Sequence, residues 1–363
     1  MSSIFGENLK LSIFGQSHGA AVGMTLDGIP AGLPVDIEAL QEFLSRRSPG
    51  STPGSTGRVE SDRPEFLAGI VDGFTCGAPI AALIRNKDTH SEDYNNLKYC
   101  PRPGHADYTA HVKYGGFQDA AGGGHFSGRL TAALCIAGGL CKQWLEKMGI
   151  RIGAQILQIG THTGESFNYS SPQLDCVDKF FPTLDPVDGE TFRSLIETVS
   201  QLGDSVGGKI QCAVTGVPAG VGEPMFGGVE SRIAQIIYSI PGVKALGFGW
   251  AENFACAWGS DSNDAFIMSE TGVITETNHC AGILGGITNG MPIVFDVTFK
   301  PTASIRKPQQ TVDLRTGEPV ILEVKGRHDA CIVPRAVPVV EAAAAIAVLD
   351  MILGNTQTKR RKA

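Results

Sequence analysis

His18 stands in Gly15-Gln16-Ser17-His18-Gly19, between glycines that leave the backbone open to close approach. The same five residues spell G-x-S-x-G, the pattern of a hydrolase nucleophile elbow, which would make Ser17 a nucleophile. That chemistry needs a strand before the serine, a helix after it and an oxyanion-hole loop earlier in the chain. Lys10 to Phe14 reads as a strand, but Gly23, Gly28, Pro30, Gly32 and Pro34 break any helix that would follow. The few residues before the motif leave no room for the loop. What remains is a histidine on a glycine loop, open to acid–base work or to a plain loop hydrogen bond.

Four further segments gather charge and glycine together. Arg46-Arg47-Ser48-Pro49-Gly50 continues through Arg58 to Glu60 and Asp62. "RPGHADYTAHVKYG" (102–115) offers Arg102, His105, Asp107 and Lys113. "GGGHFSGRLT" (122–131) leads into an apolar helix and presents Ser127 and Arg129 near its start. "KGRHDACIVPRAVP" (325–338) carries Arg327, His328, Asp329 and Arg335. Helix N-termini and glycine-exposed N–H groups favour phosphate, and arginine forks match phosphate and carboxylate. Arg46, Arg47, Arg102, Arg129 and Arg327 therefore point to a cleft for a polyanionic ligand. On spacing alone three readings stay open: a phosphate-ligand enzyme, a serine hydrolase and a non-catalytic anion-binding module.

Composition narrows the setting. Hydrophobic residues make up 42% of the 363 and charged residues 18%, which marks a folded chain with ample core. A net charge of −7 argues against a nucleic-acid or membrane-surface partner. No apolar run is read as a membrane span and no signal-peptide layout opens the chain. The nine cysteines form neither C-x-x-C nor a Cys/His set with zinc spacing. Cys135, Cys141, Cys212 and Cys256 read as reduced core thiols, no metal is expected, and the compartment is read as cytoplasm. Glycine is in excess, 46 residues against a usual share of about 7%, and it punctuates apolar runs in tight loops.

The elements that must hold these loops are legible in outline. Short β-like runs occur at 9–14, 66–72, 80–85, 150–158, 208–216, 264–275 and 291–299. Asp36 caps a helix with Ile37, Leu40, Phe43 and Leu44 on its apolar face, ending near Arg47. Residues 127–148 and 336–353 are helical and apolar nearly all round, hence buried on most sides, and 229–240 is a third helix. Strands and helices do not alternate regularly, so the fold class is α+β. "GFGWAE" (247–252) lacks the third glycine of a dinucleotide fingerprint, and there is no Walker loop. No linker divides the chain: residues 1–354 read as one catalytic domain and 355–363 as a basic, frayed tail.

Taken in order, the segments resemble chorismate synthase. That family carries F-G-E-S-H-G, R-R-R-P-G, R-P-G-H-A-D with K-Y-G, G-G-G-R-S-S-A-R-E-T, V-P-A-G-x-G-E-P, I-L-G-G-I, K-P-T-x-S-I and G-R-H-D-P-C. The counterparts here are "FGQSHG", "RRSPG", "RPGHAD" with "KYG", "GGGHFSGRLT", "VPAGVGEP", "ILGGI", "KPTASI" and "GRHDAC", running from residue 14 to beyond 330.

The resemblance implies helices packed between antiparallel β-sheets, a β-α-β sandwich, assembled as a homotetramer. It implies reduced FMN as cofactor and 5-enolpyruvylshikimate 3-phosphate as substrate, with an anti 1,4-elimination of phosphate giving chorismate. By the same likeness His18 protonates the departing phosphate, His105 manages the proton on reduced flavin, and Asp329 works with the flavin N5 in taking the substrate proton. Arg46, Arg47, Arg102, Arg129 and Arg327 match anion-binding arginines. His125, Phe126, Ser127, Gly285, Lys300, Pro301, Thr302, Ala303, Ser304 and Arg327 match flavin-contacting positions. With no dinucleotide fingerprint, an external flavin reductase is expected to reduce FMN, rather than NADP(H) acting on this chain. The chain departs from the family pattern at Gln16, Ser48, His125-Phe126, Leu130 and Ala330, while His18, His105 and Asp329 are kept.

Overall fold

The computed structural model describes residues 3–48, 62–86, 97–270, 272–324 and 328–360. Two five-stranded sheets face each other across a layer of helices. In the first, Ile4–Phe5, Lys10–Gly15, Ala21–Asp27, Ile80–Arg85 and Glu65–Ala68 lie side by side in that order, all antiparallel. In the second the order is Val243–Phe248, Ile293–Phe299, Gly208–Thr215, Arg151–Ile159 and His162–Thr163, again antiparallel.

The helices are α1 (Ile37–Ser45), α2 (Asp107–Tyr114), α3 (Thr131–Lys147), α4 (Pro186–Gln201), α5 (Val229–Ile237), the single turn α6 (Gly259–Ser262) and α7 (Val333–Arg360). α3 packs on the first sheet, α7 on the second, and the two helices pack on each other, which produces the sandwich. The near-absence of a polar face on α3 and α7 follows from this: both lie inside one core that draws on both sheets. Gly138 shows how close the helices come. A Cβ there would overlap the Ala342 backbone, so the intrinsic cost of a mid-helix glycine, about 1 kcal/mol, is offset by packing.

Several expectations hold and several need correcting. Asp36 caps α1, its carboxylate accepting from the N–H groups of Glu38 and Ala39 at 3.0 and 2.9 Å. The run at 264–275 is a hairpin, Phe266–Ser269 against Gly272–Thr275, rather than one strand. The run at 66–72 likewise divides into Glu65–Ala68 and Ile70–Val71. Within α7, Val333–Asn355 is long and apolar enough to cross a membrane, contrary to the reading that no run has that length. Its most apolar window is 89% buried, so its apolarity matches its place in the core. Cys135, Cys141 and Cys212 are buried as expected, and burial pushes the Cys135 thiol up to about 12. Cys256 is exposed and is not a core thiol.

Candidate active site

The charged loops converge on one cavity of about 1040 Å³. Strand Lys10–Gly15 ends in the turn that carries Ser17 and His18, and the glycine loop before α3 comes up against it. Ser17 is buried, its amide donates to the Gly124 carbonyl at 3.1 Å, and its hydroxyl donates to the Ala121 carbonyl at 3.2 Å. With its proton so engaged, the hydroxyl accepts from His18 Nδ1 at 3.1 Å. This arrangement puts the proton on His18 Nδ1 and makes Nε2 the exchangeable nitrogen. The structure gives Ser17 a hydrogen-bonding role, in line with the failed elbow pattern.

His105 is oriented by a tighter set. Its Nδ1 donates to Asp107 Oδ1 at 2.5 Å. Arg102, buried, grips both Asp107 oxygens at 2.8 Å and reaches Ser304 Oγ at 3.1 Å. Burial alone would raise the Asp107 pKa, but the hydrogen bonds from Arg102 and His105 outweigh it and hold the carboxyl well below the usual range. An ionised Asp107 keeps Nδ1 protonated and presents Nε2 of His105 as the exchangeable position.

Asp329 sits at the start of the segment entering α7. Arg335 Nη1 donates to its Oδ2 at 2.6 Å, and Arg335 Nε donates to the Arg47 carbonyl at 3.0 Å. One side chain thus joins the Asp329 loop to the arginine loop.

The segment 300–304 forms another wall. Lys300 Nζ donates to the Gly104 carbonyl and Thr302 Oγ1 donates to the Asp329 carbonyl at 2.9 Å. Burial, and then the neighbouring Lys244, lower the Lys300 pKa. Ile236, Ile240, Val243, Phe299 and Ile332 add apolar surface to the lining of the same cavity. Apolar surface together with an ammonium and hydroxyls fits a flat ring system with an anionic tail, and the volume admits such a group together with a small substrate.

His18, His105 and Asp329 line this cavity, as do Arg47, Arg102 and Arg129, and His125, Phe126, Ser127 and residues 300–304. His125 is exposed at its edge, with Nδ1 donating to the Gly15 carbonyl at 3.1 Å. Arg46 is turned away: its guanidinium grips Glu341 at 2.7 and 3.0 Å, beside Lys142 at 2.7 Å from the same carboxylate. Gly285 lies in the turn between Ile283–Leu284 and Ile287–Thr288 and does not line the cavity. Arg327 lies outside the described residues, as do Arg58 and Glu60. Asp107, Asp62 and Arg335 stand in the charged segments of the sequence, but neither spacing nor the resemblance gives them a role in the site. For Asp107 the signal was present, an acid two residues after a histidine; the other two act through contacts that no spacing displays.

Facing antiparallel sheets around apolar helices, with histidines, an aspartate and buried arginines in one cavity, have the layout of an enzyme for a small molecule. The family model described as chorismate synthase matches residues 9–353, and the chain belongs to that family. Proteins named chorismate synthase include one from Korarchaeum cryptofilum, 43% identical over 356 residues that cover 96% of this chain and 97% of the relative. Another, from Bacteroides thetaiotaomicron, is 41% identical over 360 residues, 99% of this chain and 100% of the relative. A solved structure described as "Crystal Structure of Chorismate Synthase" superposes with a TM-score of 0.75 at 29% identity, covering 97% of this chain and 93% of that one. The α+β sandwich is the fold of that structure, and the chain is a lyase of aromatic amino acid biosynthesis.

Proposed function

We propose that the protein eliminates phosphate from 5-enolpyruvylshikimate 3-phosphate to give chorismate, in an anti 1,4-elimination that requires bound reduced FMN. The observation that carries this reading is the convergence of His18, His105 and Asp329 with Arg47, Arg102 and Arg129 around a single cavity. A substrate with one phosphate and two carboxylates calls for arginines on more than one wall, which these residues supply. When bound, reduced FMN supplies transient electron density to the allylic system and eases the loss of phosphate.

Lys300, Thr302, Ser304, Phe126 and Ser127 would hold the flavin against the apolar surface. His18 protonates the departing phosphate through Nε2, its other nitrogen being engaged by Ser17. His105, locked by Asp107, holds a second exchangeable proton at Nε2. Asp329, its carboxylate fixed by Arg335, would work with the bound flavin in taking the proton from substrate. Burial of Arg47, Arg102 and Arg129 in the wall lowers the local dielectric and strengthens their interactions with an anion. Cytoplasmic location, a homotetramer and supply of reduced flavin by an external reductase belong to the same proposal.

The test is substitution with binding as control. His18→Ala, His105→Ala and Asp329→Ala should each lower turnover by about 100-fold or more, the usual scale for a positioned proton-transfer group, while FMN and substrate still bind. Wild-type turnover in all three would overturn the assignment.

A further inference from the structure

We infer that Asp62 is a positioning residue for anion binding: from behind the cavity wall it holds the guanidinium groups of Arg47 and Arg129 side by side, facing the ligand. The inference rests on the proposed reading of the site as one for a phosphorylated substrate. Arg47 and Arg129 line the cavity, Asp62 does not, and its side chain has no exposure to solvent. Its Oδ1 accepts from Arg129 Nη1. Its Oδ2 lies 3.3 Å from Arg47 Nη2 and accepts from Ser48 Oγ at 3.1 Å.

The arrangement places two cations on one buried carboxylate, so the trio carries one net positive charge on the cavity side. Burial pushes Arg47 down to about 10, with the like charges of Arg335 and Arg129 acting in the same direction against the pull of Asp62. For Asp62 burial acts upward, and Arg47 and Arg129 outweigh it, which keeps the carboxyl ionised below its usual range. Without that anion two buried guanidinium groups repel one another, and the wall cannot hold both.

Arg47 Nε is buried and meets no acceptor among the described residues. A donor in that condition favours an anion arriving from the cavity. Asp62 has a backbone φ of +45°, a region that aspartate tolerates better than most residues. Being behind the arginines rather than among the ligand's contacts, Asp62 organises the subsite and does not compete with the ligand for it. The ligand class that matches two guanidinium groups held on one wall is a phosphate dianion.

Isothermal titration with 5-enolpyruvylshikimate 3-phosphate, on protein carrying oxidised FMN, tests this alongside steady-state kinetics with reduced FMN. Asp62→Asn should weaken substrate binding and raise KM by about 10-fold or more, the scale of a lost charge-assisted set. FMN affinity should be unchanged and kcat at saturation should stay within about threefold, because the proton-transfer residues are untouched. Asp62→Glu should recover part of the affinity, which a general packing defect would not allow. If Asp62→Asn does not fold, Ser48→Ala gives a milder version with a smaller loss in the same direction. Tighter binding in Asp62→Asn would mean the carboxylate competes with the ligand, and unchanged binding in folded Asp62→Asn and Ser48→Ala would remove its role; either overturns the inference. A wild-type protein that neither binds nor converts the substrate would instead overturn the functional reading beneath it.

Discussion

Gly122 lies flat against His18: a Cβ built on Gly122 would overlap Cε1 and Nδ1 of the imidazole. The glycine also has φ +62°, where any L side chain is strained. Gly122→Ala should therefore push the imidazole off Ser17 and lower turnover by about 100-fold, the scale of a misplaced catalytic group. The far-UV spectrum should be that of the wild type. A fully active Gly122→Ala would show that His18 does not work from the observed position.

The Asp107 carboxylate fixes the proton on Nδ1 of His105. In Asp107→Asn the amide can present either face to the ring, so the tautomer is no longer dictated. Turnover should fall by about 10- to 100-fold with substrate affinity retained. Single-turnover kinetics with reduced flavin read this directly, and an unchanged rate would detach Asp107 from the chemistry.

Arg335 reaches Asp329 and the Arg47 carbonyl with two nitrogens of one planar fork. Lysine offers a point charge in place of the fork. Arg335→Lys should lower kcat by about 10-fold and move substrate affinity much less. Equal losses in kcat and in binding would make Arg335 a ligand contact rather than a tether for Asp329.

Much of this arrangement was legible in the sequence, and the exceptions have physical causes. The α1 cap, the apolar α3 and α7, and the loops carrying His18, His105 and Asp329 follow from local pattern and motif order. Strand Ala21–Asp27 was not, because Gly23 reads as loop; in the sheet it faces the Phe14 ring, where a Cβ does not fit. Arg46 and Arg47 are neighbours in sequence, yet one turns to Glu341 and the other to the cavity. That divergence depends on a glutamate 295 residues away. The Arg129–Asp62 pair spans 67 residues and is equally invisible to spacing.

The Glu341 carboxyl gives a pH signature. Burial would raise its pKa, but Arg46 and Lys142 outweigh burial and take it from the ordinary 4.5 down to about 2. A depressed folded pKa means stability that is present above pH 4.5 and lost as pH falls through about 2. Glu341→Gln should cost about 3 kcal/mol at pH 7, since it leaves Arg46 and Lys142 without their counter-charge. The gap to wild type should close as pH falls through that window. Denaturant midpoints at matched pH measure it, and a gap independent of pH would contradict the ion-pair origin.

Asp296 should show the opposite sign. Burial pushes it from 3.8 up to about 6 against the hydrogen bond from Gln211. The contribution of a raised carboxyl is present in full below its unfolded pKa, 3.8, and is lost as pH rises through about 6. Asp296→Asn keeps the acceptor for Gln211 and should raise stability at pH 7.5 by about 3 kcal/mol, with no gain below pH 4. Thermal midpoints across that range decide it; destabilisation at pH 7.5 would show that the carboxylate is needed in its ionised form.

The most direct measurement is an anaerobic reaction of purified, FMN-loaded protein with 5-enolpyruvylshikimate 3-phosphate, before and after reduction of the flavin by dithionite. Chorismate absorbance and inorganic phosphate should rise together and in equal amounts only after reduction, with FMN returned in its reduced form. Folded, flavin-replete and reduced protein that binds the substrate yet releases neither product would contradict the assigned reaction.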